Sequence, residues 1–465
     1  MIKPDVIHAQ LATAMPAMKL VSDSYRGEPY VEEYLPNPSP SYEDPMISLS
    51  RFNDYKLRAN YYNVTRRTVQ ALSGMVFAKY PVITAPDTID TLEVMQQSRR
   101  AVIQCLLKGR CGLLADYPVS DSVVSKQQLK SLGYKPKVKF YDAESVINWR
   151  TENDKLTLVV IRESYVTKDD GFSIETGEQL IVLRLNDDMA TSQIWRNIDG
   201  QWLADEISII RQANGQAFTE IPFVFIGAEN NDADVDDSPM YDLAKVNIAH
   251  YRNSADYEES IFIAGQPTLF VTGVTDDWRD YYDGISISAN GAEVQGTPNP
   301  ITLGSRTAHL LGENSTAILL QAQANMALYE AMVHKEEQMV ALGAKLIDVN
   351  TSTKTATEAN SDTATNTSIL STIANNVSDA YSKALNYCCL FTGDKSECIV
   401  TLNTNYSTNK MTPQERQQLI AEWQSGAISF KEMRDKLVED EIATVEDVEQ
   451  AQAEIEAYSN DVVNN

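Results

Sequence analysis

Between Ile221 and Gly273 the chain reads IPFVFIGAENNDADVDDSPMYDLAKVNIAHYRNSADYEESIFIAGQPTLFVTG, and this stretch limits the possible folds more than any other. IPFVFIG is a short apolar run, rich in β-branched and aromatic residues and closed by Gly227, the pattern of a buried strand. The acidic ENNDADVDD has too little apolar surface to pack and reads as a solvated loop. Ser238 offers an N-cap oxygen, Pro239 suits the first helical position, and Asp242 complements the helix start. A helix of roughly seven turns is predicted until Gly265 and Pro267 stop it, and TLFVTG supplies a second strand.

A second long helix is predicted over Thr316 to Lys345. Its apolar positions Ala322, Met326, Tyr329, Val333, Val340 and Ile347 recur mainly at three- and four-residue steps, or at seven where Glu336 and Glu337 intervene. Between the two helices, Gly and Pro punctuate a region with strands expected near Leu269–Thr272, Gly284–Ser288 and Thr307–Leu311. Two helices leaving and re-entering a body can carry a small β module as a stalk carries a head.

The rest of the chain is organised around that unit. Residues 1–50, with GEPYVEEYLPNPSPSYEDP, read as an extended arm. Helical patterns follow from Ser50 to about Ala78, with Val64, Val69, Leu72 and Val76 in phase, and from Thr91 to Leu114 with a break near Gly109. From Lys137 to Ile226 short alternating runs separated by turn signals (DDG, ETGE, NDD, DGQ, NGQ) predict a mainly antiparallel sheet. Another helix is expected from Ser361 to Phe391, then a strand within Glu397–Ser407. The C-terminal segment carries capping boxes at Thr412/Glu415 and Ser429/Glu432, and a similar pattern at Thr444/Asp447. The fold class is α+β, in more than one domain.

Charge narrows the function. With 39 Lys+Arg against 65 Asp+Glu, the net charge of −26 opposes tight nucleic-acid binding, which needs a basic face for its phosphate contacts. Loose passage of DNA past an acidic surface remains compatible with it. No apolar run approaches the length of a membrane span, and the N-terminus lacks the form of a signal peptide. Cys105, Cys111, Cys388, Cys389 and Cys398 have no metal-ligand spacing and read as reduced cytosolic thiols.

Signatures of chemistry are missing. There is no GxxxxGK[ST] or strand-linked GxGxxG, no HExxH, no GxSxG elbow, and the four His lie far apart. Asp232, Asp234 and Asp236 have the first spacings of a calcium loop, but Asp237 replaces its turn glycine and Leu243 its closing Glu. No catalytic residue, cofactor or metal is expected. Asp348–Asn360 (DVNTSTKTATEAN) reads by composition as a flexible polar linker.

The segment SPMYDLAKVNIAHYRNSADYEES followed by GQPTL resembles the portal proteins of tailed bacteriophages, over dozens of residues without a gap. NVTRRTVQALSGMVFAKYP (Asn63–Pro81), GLLADYP (Gly112–Pro118), YDAESVINWR (Tyr141–Arg150), LGAKLI (Leu342–Ile347) and KTATEA (Lys354–Ala359) resemble the family's other signposts, in order. The likeness runs from about residue 20 to the C-terminus. It implies a structural ring protein, usually of twelve subunits, at one capsid vertex of the virion and assembled in the host cytoplasm. Double-stranded DNA would pass through it non-specifically, driven by a separate terminase, and the tail would attach to it.

The implied layout is an arm (1–50), a mixed wing (51–237, with 361–411 returning to it), stem helices at 238–265 and 316–347 around a clip at 266–315, a tunnel loop at 348–360 and a helical crown at 412–465. On this reading Thr351, Ser352, Thr353, Lys354 and Thr355 face the DNA. Tyr241, Ala244, Ile248, Tyr251, Ala255, Met326, Tyr329 and Val333 form the stem's ring interface. Trp278, Tyr281, Tyr282 and Arg306 on the clip bind the terminase large subunit, and later connector or tail proteins. Capsid protein and any scaffold meet the body; no membrane is involved. Competing readings are a head–tail adaptor, a virion-associated hydrolase and, from the imperfect Asp232 loop alone, a calcium-dependent binding protein.

Overall fold

The computed structural model describes residues 3–39, 43–117, 135–265, 268–273, 275–287, 293–298, 315–320, 326–346, 368–406, 413–439, 442–443, 449–450 and 452–453. The chain divides into two units, Met1–Thr404 and Asn405–Asn465.

The first unit opens with α1 (Ala9–Arg26), α2 (Pro45–Arg58) and α3 (Val64–Val76). Two of these overturn the expectation of an extended arm. In α1, Leu11, Met18 and Val21 are buried on one side, and His8 Nδ1 caps the start by accepting from Gln10 N. The Pro- and Tyr-rich residues that suggested an arm lie between α1 and α2. Asp44 caps α2 through Met46 N and Ile47 N, with Pro45 at its first turn. The single helix expected from Ser50 to Ala78 is two, parted at residues 59–63.

After β1 (Val82–Thr84), α4 (Thr91–Lys108) is capped by Asp90 and ends at Gly109, whose φ of 75° places it in the left-handed region. A side chain there would also meet Asp236 O at 2.1 Å, so glycine is required twice over. β2 (Arg110–Asp116) then starts at once: the break expected near Gly109 is the end of the helix, and the residues up to Leu114, expected to be helical, are a strand.

The strands β3 (Lys137–Asp142), β4 (Val146–Glu152), β5 (Lys155–Asp169), β6 (Ile174–Asn186), β7 (Met189–Ile198), β8 (Gln201–Ala204), β9 (Ser208–Ile209) and β10 (Phe223–Gly227) follow. They form two antiparallel sheets: three strands in the order β10-β2-β3, and six in which β4 to β8 run in sequence and β9 joins β7. Period-2 alternation sorts the larger sheet's faces. Trp149, Val159, Ile161, Ile181 and Leu183 join α1 and β10 in one core, while Ile147, Val160, Leu180 and Val182 pack under Trp195 and Trp202 on the other face.

α5 (Tyr241–Ala264), β11 (Thr268–Thr272), α6 (Asp276–Asp283), β12 (Ile285–Ile287), β13 (Glu293–Gln295), β14 (Thr316–Leu320) and α7 (Met326–Lys345) make the helical hairpin and its β module. β11 pairs with β14, and β12 with β13, all antiparallel. Residues 316–320, expected as the first turn of the second helix, are therefore a strand, and that helix begins at Met326. The strand expected at Thr307–Leu311 lies outside the described residues. α8 (Ile369–Thr392) buries Leu370, Ile373, Val377, Tyr381 and Leu385, and β15 (Ile399–Thr401) pairs with β1. No helix among the described residues is long and apolar enough to cross a membrane.

In the second unit α9 (Pro413–Gln424) and α10 (Phe430–Glu439) are joined by a short turn, with Trp423 and Phe430 rings 5.7 Å apart. Ser429 and Glu432 form the reciprocal capping box: Ser429 N donates to the Glu432 carboxylate at 2.7 Å, and Glu432 N to Ser429 Oγ at 3.2 Å. Thr412, Thr444 and Asp447, which carry the other two patterns, lie outside the described residues.

Candidate assembly site: the helical hairpin and its β module

The segment NIAHYRNSADYEES, residues 247–260 of α5, is where sequence specificity turns into geometry. Asn247 is fully buried, and its Oδ1 accepts from Val64 N, Thr65 N, Thr65 Oγ1 and Tyr61 OH while its Nδ2 donates to Tyr62 O. It thus satisfies N–H groups at the start of α3 that the helix cannot satisfy itself. Further along, Arg252 Nε donates to Tyr34 O, Ser254 Oγ accepts from Asn60 N, and Asp256 Oδ1 accepts from Tyr55 OH at 2.7 Å. Glu259 pairs with Arg58. Ile248, Tyr251 and Ala255 fill the spaces between, against Val31, Leu35, Tyr55 and Tyr61. Five polar residues of the segment, Asn247, Arg252, Ser254, Asp256 and Glu259, hold residues 34–65.

The same helix carries α7 in antiparallel register. Tyr257 and Tyr329 have ring centroids 6.1 Å apart, His250 Nε2 lies 3.2 Å from Glu336 Oε1, and a side chain at Gly343 would touch Leu243. These pairs recur every seven residues on both helices, as a long two-helix seam requires. Met339 is buried, and Leu328, Met332 and Leu342 on its side of α7 are partly covered. His250 Nδ1 is buried without a hydrogen-bond partner.

The stripe read from sequence flanks that seam, and Tyr329 belongs to both. Met326, Tyr329, Val333 and Val340 are all exposed, Val340 by 71%. Ala322 and Ile347 lie outside the described residues. The α5 residues assigned to a ring interface divide differently. Ala244, Ile248, Tyr251 and Ala255 are buried within their own chain and offer no surface to a second copy, and Tyr241 is half-buried. Their small or apolar character comes from packing inside the subunit. At the far end of α5, Ile261, Phe262 and Ile263 are exposed, as are Phe270 of β11 and Ile318 of β14.

On α6, Trp278, Tyr281 and Tyr282 form a cluster with centroid separations of 5.8, 6.1 and 5.4 Å. Asp276, Asp277, Asp280 and Asp283 share this eight-residue helix with Arg279, and none of its side chains is buried. Arg306 and Thr351, Ser352, Thr353, Lys354 and Thr355 lie outside the described residues.

Sequence reasoning missed Arg110. Its guanidinium is buried between the Trp149 and Phe225 rings, 4.3 and 4.0 Å from their centroids, and donates to Ala233 O. Burial lowers its pKa to about 10, opposed by the nearby Asp236, Asp232 and Asp234 carboxylates. The loop with partial calcium spacing therefore lies over a buried cation: Asp234 Oδ1 accepts from Gln10 Nε2, and Asp236 Oδ2 accepts from Glu229 N. Burial pushes the Asp236 carboxyl upward. The available signal was a lone Arg between a helix-ending glycine and the apolar run CGLLA.

Against known proteins, a family model described as "Domain of unknown function (DUF4055)" matches residues 239–392, from α5 through α8. No curated protein matches. Among solved structures, a chain of the neck of the empty GTA particle, computed with C6 symmetry, is 15% identical with a TM-score of 0.40, covering 84% of this chain and 93% of that one. A chain of the native GTA particle neck, computed with C12 symmetry, is 16% identical with a TM-score of 0.34 over the same shares.

Proposed function

We propose that this chain is one subunit of a portal-type ring at a capsid vertex, through which double-stranded DNA enters and later leaves. The observation that carries this reading is the antiparallel α5–α7 hairpin. Its root is bonded into the body, its end joins a β ribbon, and its outer side shows Met326, Val333 and Val340 to solvent. Copies set side by side would cover that row, and each such side chain contributes about 1.5–3 kcal/mol when fully buried. A head-to-tail contact of this kind repeats until it closes a ring.

In this reading no residue is catalytic. DNA is moved by the ATPase of a separate terminase, while this chain supplies channel, clip and vertex contacts. The aromatic and acidic face of α6 serves the terminase first and connector or tail proteins afterwards. Thr351–Thr355, by the sequence resemblance, faces the DNA as a weakly charged strip that permits sliding; deleting Thr351–Thr357 leaves rings intact and impairs packaging.

The test is mass photometry of the purified chain with negative-stain imaging of the same sample. Closed rings with a central hole are expected. A compact monomer at every concentration overturns the reading.

A further inference from the structure

The hairpin of β5 and β6 outruns the sheet that holds it. β4 pairs with β5 only as far as Ile161, and β7 pairs with β6 only from Gln179, so beyond Arg162 and Glu178 the two strands have no third strand beside them. Every residue from Val166 to Thr176 is exposed. A lone two-stranded ribbon is marginal in water, yet this one is braced throughout. The Tyr165 ring lies across Gly177, its partner on the other strand, where a side chain would come within 2.8 Å of it. Thr167 Oγ1 donates to Glu175 O.

The tip is prebuilt. Asp170 Oδ1 accepts from Phe172 N at 2.8 Å and Ser173 N at 2.6 Å, Asp170 Oδ2 accepts from Ser173 Oγ at 2.7 Å, and Asp169 Oδ1 accepts from Gly171 N at 2.8 Å. All of this holds one side chain, Phe172, wholly in solvent, with Ile174 and Val166 exposed behind it. A turn whose backbone is already fixed has lost part of the freedom that binding would otherwise cost. Aromatic residues in such positions supply a large share of interface energy.

We propose that this ribbon is a docking finger. Its Phe172 tip enters an apolar pocket with a basic rim on a different protein of the assembled particle. The commitment comes from charge: Asp169, Asp170 and Glu175 lie within three residues of Phe172 in the turn, and the one base there, Lys168, pairs with Glu175 at 3.5 Å, which leaves the tip net negative. Such a tip repels phosphate, which sets aside nucleic acid and anionic lipid, and it matches a partner surface that carries Lys or Arg around its pocket. The inference rests on the assembly reading above, and the two can fail separately.

The test replaces Phe172 with the photoreactive residue p-benzoylphenylalanine in the full chain, in cells assembling particles. The same residue at Leu57 of α2, also largely exposed, serves as control. Purified particles are irradiated and cross-linked peptides identified by mass spectrometry. The expected product joins position 172 to a non-identical particle protein, at an apolar peptide flanked by Lys or Arg. It is absent from the Leu57 control and falls at least tenfold when Glu175→Lys is added. Cross-links only to copies of this chain, to DNA, equally from position 57, or none at all overturn the finger while the ring stands. Absence of the chain from particles overturns both readings.

Discussion

Thr65 gives both its backbone N–H and its hydroxyl to one atom, Asn247 Oδ1, at 3.1 and 3.0 Å. The two residues are far apart in sequence, and the contact ties the start of α3 to the middle of α5. Asn247→Ala leaves the buried Thr65 N–H without an acceptor and the Tyr62 carbonyl without the amide that donates to it. Each unsatisfied group costs about 1–3 kcal/mol, so a stability loss of ~2–4 kcal/mol is expected in a urea titration. A loss under about 0.5 kcal/mol would show that water replaces the amide.

The two helices of the hairpin should answer differently to an added charge. Val333→Asp places a carboxylate on the solvent-facing side of α7, so the chain should fold with an unchanged melting temperature yet fail to form rings by mass photometry. Ala255 is fully buried within its own subunit, so Ala255→Asp should lower stability by ~3–5 kcal/mol and reduce soluble yield. Intact rings in Val333→Asp, or a stable Ala255→Asp chain, would contradict this division.

At the β5–β6 turn the prediction concerns pH. Hydrogen bonds from Ser173 and Phe172 hold the Asp170 carboxyl below its ordinary value, at about 2. A depressed folded-state pKa stabilises the turn above the ordinary carboxylate range, and the effect is lost as pH falls through about 2. Amide exchange at Phe172 and Ser173 should be slower in the native chain than in Asp170→Ala above pH 4. The two should converge toward pH 2. Equal exchange rates at pH 5 would mean the carboxylate does not hold the turn.

Cys389 at the end of α8 and Cys398 before β15 have sulfur atoms 3.2 Å apart, closer than the 3.9 Å between Cys105 and Cys111. Both are buried free thiols, and burial raises the Cys398 thiol to about 12, so attack is slow at neutral pH. Prolonged exposure of the folded chain to glutathione disulfide should oxidise this pair first: two thiols become one disulfide and two glutathione thiols leave. Peptide mapping should find the 389–398 link. A Cys105–Cys111 link appearing earlier would refute the order.

Much of the hairpin was legible because its signals are local. Gly265 marks the end of α5, TLFVT is a strand, and Ser429/Glu432 forms its box. The face of α7 was not legible. Period alone finds an apolar row at Met326, Tyr329 and Val333, but cannot say whether that row meets its own chain, and here Met339 on the other side is the buried residue. Residues 316–320 were lost to the helix because a strand of five residues is recognised by its partner, Thr268–Thr272, rather than by its own pattern. Ser238 was expected as the cap of α5; its hydroxyl does accept from Met240 N, but it also donates to Leu106 O and the helix starts at Tyr241. Arg110 stayed hidden because its partners come from loops and strands distant in sequence.

The bonds made by α5 bear on where this molecule can be cut. A fragment trimmed to residues 239–392 would keep the His250–Glu336 pair, yet separate Asn247, Arg252, Ser254, Asp256 and Glu259 from Tyr34, Tyr55, Arg58, Asn60 and Thr65. Tyr251 and Ile248 would come into water with them. The most recognisable third of the chain is therefore a dependent piece, and anyone excising it should expect it to clump unless the first 65 residues are supplied alongside.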